Sequence, residues 1–80
     1  MNRIFKRNQR IYLNRIKEHR VASDQLSEVT LRIVADDNVP CLTEDVYFAL
    51  VAKQCALTAL VQCLSDEIDL YKKIVEEQNE

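Results

Sequence analysis

The sequence predicts an all-α protein, an antiparallel hairpin of two long helices, with two such hairpins pairing into a four-helix bundle. Three observations carry that reading. No glycine occurs in the 80 residues, which removes the usual residue for left-handed turns and tight hairpins of strands. The single proline, Pro40, falls at the midpoint of the chain and cannot continue a helix. Beyond it, apolar residues recur at alternating intervals of three and four, the spacing of one helix face. Apolar residues make up 48% and charged residues 30% of the chain, close to ordinary globular values, so wholesale disorder is not expected.

The first arm spans about residues 3–35. Ile4, Phe5, Tyr12, Ile16, Ala22, Leu26, Val29 and Ile33 share one face, with Asn8, Arg15 and His19 on or beside it. Ser23 or Asp24 is able to cap a new helix, so two arrangements stand: one continuous arm, or two helices kinked near residues 22–24. Nothing between Arg20 and Gln25 breaks a helix, which favours the continuous arm.

The turn follows at residues 36–42, Asp36-Asp37-Asn38-Val39-Pro40-Cys41-Leu42. Asp and Asn favour turns, and Pro40 drives Val39 out of the helical region. The second arm then covers about residues 44–77. Thr43 supplies its cap, Glu44 and Asp45 suit the positive first turn, and Leu42 is placed to staple onto Tyr47. At a rise of about 1.5 Å per residue, both arms are roughly 50 Å long.

In the second arm Tyr47, Leu50, Gln54, Leu57, Val61, Leu64, Ile68 and Tyr71 form a heptad seam continued by Val75, and these eight are the expected core of the oligomer. Gln54 is its one polar member, the kind of residue that fixes register at a cost in stability. Small residues, Ala49, Ala52, Ala56, Ala59 and Cys63, form a second stripe. An arm that is apolar on two sides calls for two neighbours, and a chain of this size buries only about 60% of its unfolded surface; a homodimer answers both. A membrane span is not expected, because Lys53, Gln54, Thr58 and Gln62 interrupt the apolar stretch and no basic residues bracket it.

Charge is segregated. Residues 1–20 hold seven basic residues against one acidic, and residues 21–80 hold four basic against twelve acidic, so the formal net charge of −2 conceals a +6 start and a −8 remainder. Arg3, Lys6, Arg7, Arg10 and Lys17 share one arc of the first arm, the expected partner-binding row. Asp66, Glu67, Asp69, Glu76, Glu77 and Glu80 lie beside it in an antiparallel hairpin and offer internal neutralisation as the competing explanation.

No chemistry is legible. One histidine and three cysteines without ligand spacing imply no metal site, and no cofactor motif is present. His19 and Cys63 lack a third group for nucleophilic catalysis, and two long helices are expected to offer no useful pocket. No export is expected, since Lys6 and Arg7 follow Ile4 and Phe5 at once. The expected setting is therefore a reducing cytoplasm, with Cys41, Cys55 and Cys63 serving as small apolar side chains. These readings converge on a small non-enzymatic regulator that binds and occludes or sequesters another protein, such as an inhibitor or antirepressor of a transcription or defence factor. The alternatives are a nucleic-acid-binding helical dimer using the basic row, and a structural subunit or export co-chaperone.

Overall fold

The computed structural model describes residues 3–78 and consists of two helices, α1 (Arg3–Asn38) and α2 (Glu44–Gln78), packed along their whole length. The hairpin is an elongated rod of 58 × 15 × 15 Å.

α1 is one uninterrupted α-helix through residues 22–24, so the kinked alternative does not occur. It also runs through Asp36, Asp37 and Asn38, three residues past the expected end. The reason lies in the side chain of Asp36, whose Oδ1 accepts the backbone N–H groups of Cys41 and Leu42, each at 2.8 Å. A carboxylate at a helix C-terminus is normally disfavoured by the carbonyl dipoles; here the two turn N–H groups offset it and fold the chain back. Residues 39–43 complete the reversal. Thr43 caps α2, its Oγ1 accepting the N–H of Val46 at 3.4 Å and its carbonyl that of Tyr47 at 2.9 Å. Leu42 and Tyr47 pack against the same core cluster, in the positions of a hydrophobic staple.

The buried residues fall on one seam in each helix. In α2 these are Leu50, Leu57 and Leu64, with Tyr47, Gln54, Val61, Ile68 and Tyr71 half-buried between them. The residues expected to form an oligomer core thus already face α1 within one chain. In α1 the buried residues are Ala22, Val29 and Ile33. They belong to a heptad that runs Phe5, Asn8, Tyr12, Arg15, His19, Ala22, Leu26, Val29, Ile33, Asp36, every member buried or half-buried. Asn8, Arg15 and His19 therefore lie in the seam rather than interrupting it.

Polar side chains pin the register. Asn8 Nδ2 donates to Gln78 Oε1 at 3.2 Å near the open end, Arg15 Nε to Glu67 Oε2 at 2.8 Å, and Gln54 Nε2 to Thr30 Oγ1 at 3.1 Å toward the turn. Apolar packing is concentrated in the turn-proximal half, where Val29, Ile33, Leu50 and Leu57 form the core cluster.

Candidate protein interface

The two seams face one another, so the outer face of each helix is the one diametrically opposite its seam. On α1 that face carries Arg3, Lys6, Arg7, Arg10 and Lys17, all exposed. Arg3, Ile4, Lys6, Arg7 and Arg10 surround a shallow depression of about 470 Å³. Leu13 and Val21 stand 51% and 56% exposed within the same row, so the face alternates cations with apolar side chains.

The acidic C-terminal half of α2 does not neutralise this row. Among the described residues the ion pairs are those of Arg15, with Glu67 at 2.8 Å and Glu18 at 3.0 Å. Arg3, Lys6, Arg7, Arg10 and Lys17 make none, because they point away from α2 while Asp66, Asp69, Glu76 and Glu77 are exposed on its far sides. Glu80 lies outside the described residues. The Arg15 pKa is raised above the usual guanidinium value, first by the hydrogen bond to Glu67 and then by the charge of Glu18.

At the closed end Tyr47 Oη donates to Asp37 Oδ1 at 2.8 Å, which, with partial desolvation, raises the phenol above its ordinary pKa. Tyr47 also meets Phe48 edge-on at 5.9 Å. Beside the turn an open depression of about 540 Å³ is lined by Arg32, Ala35, Asp36, Asn38, Val39, Cys41 and Leu42. The depression is open to solvent and mainly apolar, and the titratable side chains in its lining are Arg32, Asp36 and Cys41.

The outer face of α2 is of a different kind. Ala49, Ala52, Ala56, Ala59 and Cys63 are all exposed along it. All three cysteines are exposed and free. Cys63 lies opposite the seam in which His19 is half-buried, which separates that pair. No group of three His, Cys, Asp or Glu among the described residues is arranged to hold a metal ion. By length and composition α2 is apolar enough to cross a membrane, with a mean hydropathy of 1.5 over its best 18-residue window, of which 17% is buried against α1.

One geometric consequence was not legible in the sequence. The basic row and the small-residue stripe lie on opposite sides of the two-helix layer, so one compact partner cannot cover both, and the rod offers two separate surfaces. The signal was present in the heptad phase of each arm, once Asn8, Arg15 and His19 are counted as seam positions.

The fold and its surfaces thus define an antiparallel two-helix rod with a cationic, partly apolar outer face on one helix and a small-residue outer face on the other. Comparison with family models, with curated proteins and with solved structures finds no match to this chain.

Proposed function

We propose that the protein is a small non-enzymatic cytoplasmic regulator that docks on an acidic, partly apolar surface of another protein and occludes or sequesters it, in the manner of an inhibitor or antirepressor of a transcription or defence factor. The observation that carries this reading is the composition of the α1 outer face. Its cations have no ion-pair partners among the described residues, and Leu13 and Val21 stand exposed among them. A row built only to track phosphates has no use for exposed aliphatic groups, whereas protein interfaces combine an apolar centre with charges that steer encounter and orientation. Because α1 supplies both, the contact does not require the second arm. The protein acts as a homodimer of hairpins, a four-helix bundle, in which the apolar surface left on each rod is covered.

Affinity capture from the native cell, with and without nuclease, tests the docking reading. A protein that survives nuclease treatment and is lost when Arg7 and Arg10 are changed to Glu is the expected result. Partners that vanish with nuclease, and a log-linear loss of binding with salt, would instead assign the row to nucleic acid.

A further inference from the structure

We infer that two copies of this chain stack on one broad face of the hairpin, with their turns at opposite ends, about a two-fold axis that passes through Gln25 and Leu60. This deepens the four-helix-bundle reading above and rests on it.

The face is made of the residues that flank the seam on one side. In α1 they recur every seven positions as Ile11, Glu18, Gln25 and Arg32, continued in the turn by Val39. In α2 they are Val46, Lys53, Leu60, Glu67 and Ile74. Both sets share one side of the rod. Glu18, Gln25 and Leu60 line a single groove of about 360 Å³ between the helices, Arg32 and Val39 line the depression beside the turn, and Arg15 bridges Glu18 and Glu67.

The hairpin register, held by the Asn8–Gln78, Arg15–Glu67 and Thr30–Gln54 contacts, sets the two helices level so that both present the same order. From the open end to the turn, Ile11 lies beside Ile74 and Glu18 beside Glu67. Gln25 and Leu60 form the centre. Arg32 then lies beside Lys53, and Val39 beside Val46. Within one chain like therefore neighbours like: Glu18 and Glu67 share the single Arg15, and Arg32 and Lys53 have no ion pair among the described residues.

Two two-fold arrangements stack this face on a copy of itself. An axis along the rod puts α1 on the copy's α2 with both turns at one end. It sets Glu18 on the copy's Glu67 and Arg32 on its Lys53, like charge on like throughout. An axis across the rod, through Gln25 and Leu60, puts each helix on its own copy in the opposite direction. Glu18 then meets the copy's Arg32 and Glu67 its Lys53, each twice by symmetry, while Ile11 meets Val39, Ile74 meets Val46, and Leu60 meets itself. The diagonal neighbours, Glu18 with Lys53 and Glu67 with Arg32, are opposite in charge as well. Arg15 and Asp36, on the flank of the seam nearest this face, also come level with each other across the dimer.

The remaining charges on this side stand at its outer edges and largely cancel. Arg7 and Glu77 lie over the copy's turn, where Glu44 and Asp45 attract one and repel the other. Lys17 approaches the copy's Arg32 and Glu28, and Glu28 the copy's Lys17 and Glu18, so each meets one charge of either sign. Charge thus selects the crosswise axis.

Extent agrees with charge. The selected axis lies within about one turn of the middle of the rod, so the copies overlap along nearly their whole length. About 50 Å of contact on a rod 15 Å wide covers roughly 750 Å² per copy, against about 800 Å² per partner in a stable interface. Val39, Val46, Leu60 and Ile74, exposed in the single chain, are covered. The opposite face is a poorer candidate, because its flanking positions are mostly polar, Gln9, Ser23 and Thr30 in α1 and Thr58 and Ser65 in α2. A lipid surface is a poorer occupant, because two bands of charge cross the face.

In this bundle the two α1 helices are neighbours, so both basic rows lie on one side of the dimer, one toward each end and running in opposite directions. A docked partner meets two cationic ends whose Arg10 positions are about 45 Å apart.

Sedimentation equilibrium and cysteine crosslinking of the full chain test this. The expected result is a dimer of about twice 9.3 kDa that Leu60→Glu converts to a helical monomer, while Arg10→Glu, on the outer face, leaves it dimeric. Lys53→Glu sets opposite charges side by side within a chain and like charges across the dimer, and is expected to weaken the dimer about tenfold with helicity intact. With all three native cysteines changed to Ser, Leu60→Cys places two thiols at the axis and mild oxidant gives a covalent dimer, whereas Thr58→Cys, on the opposite face, gives none. A monomer at about 100 µM overturns both this interface and the dimer reading, whether phosphatidylcholine vesicles or another protein then takes the face. A dimer that survives Leu60→Glu, fails to crosslink through Leu60→Cys, or crosslinks through Thr58→Cys overturns this interface and leaves the dimer reading standing. If Leu60→Glu loses its helices, the two crosslinking results decide.

Discussion

Arg15 reaches across the hairpin to Glu67, Nε to Oε2 at 2.8 Å, from a core position of the α1 heptad. A second guanidinium nitrogen holds Glu18 on the same helix at 3.0 Å. Both side chains of the cross-helix pair are partly exposed, 29% for Arg15 and 38% for Glu67, so water screens the attraction and its contribution is to alignment more than to stability. A slip by one heptad leaves a guanidinium against an apolar wall, which is costly.

The first prediction concerns that alignment. Arg15→Glu places two carboxylates in the seam and is expected to lower the melting temperature, monitored by helical circular dichroism. The reciprocal Arg15→Glu, Glu67→Arg chain is expected to recover most of the loss, and the gap between the single and double variants to narrow in 1 M salt (a Debye length of about 3 Å). Equal stability of the single and double variants would show that the pair sets nothing.

Gln54 gives a second, independent test of register. Its side-chain nitrogen donates to the Thr30 hydroxyl at 3.1 Å, so its partner is in the same chain. Gln54→Leu removes one hydrogen bond worth about 1 kcal/mol and buries additional apolar surface worth about 1.5–2 kcal/mol, and the half-exposed Thr30 hydroxyl turns to water. A net gain near 1 kcal/mol is expected, a rise in melting temperature of about 4–8 °C for a domain of this size. A fall would mean that the Gln54–Thr30 contact outweighs the apolar gain.

Much of the architecture was legible because α2 writes its seam in apolar residues, and the turn in one proline. The N-terminal half of α1 was not, for a physical reason. Asn8, Arg15 and His19 occupy core positions, and for the first two the groups that satisfy them, Gln78 and Glu67, come from residues 70 and 52 positions away; an apolar count along one helix does not register such pairs. The end of α1 was missed similarly. Asp36-Asp37-Asn38 reads as turn chemistry, yet the Asp36 carboxylate serves the turn from inside the helix. The basic row was visible in the sequence. That α2 leaves it without ion pairs depends on the phase of both helices together.

The closed end is predicted to be sensitive to alkali. Tyr47 donates to Asp37, and that bond, then desolvation, raises its pKa. A group whose pKa is higher folded than unfolded adds stability that is complete below its unfolded pKa, about 10 for a phenol, and is lost as pH rises through the folded value. The melting temperature of the wild type is therefore expected to fall more steeply above pH 10 than that of Tyr47→Phe, while Tyr47→Phe is the less stable of the two at pH 7. Parallel curves for the two chains across pH 9–11 would show that the hydrogen bond does not couple to folding.

The basic row carries the most discriminating prediction, because stability and function should move in opposite directions. Arg3, Lys6, Arg7 and Arg10 crowd the first two turns of α1, where the helix dipole is positive and where residues three and four apart repel. The first turn contains no acidic residue, and no ion pair within the described chain relieves these four. Replacing Arg7 with Glu removes two such repulsions, creates attractions to Arg3 and Arg10, and places a negative charge near the helix start. The hairpin is expected to gain about 0.5 kcal/mol, and the wild-type arrangement is retained against that gain only if something outside the chain uses the charge. Thermal melts and partner capture on the same preparation decide it. Arg7→Glu should melt at the same temperature or higher and bind the partner at least tenfold more weakly. An Arg7→Glu chain that is less stable than wild type, or equally competent in capture, would make the row a structural feature and remove the basis for the docking face.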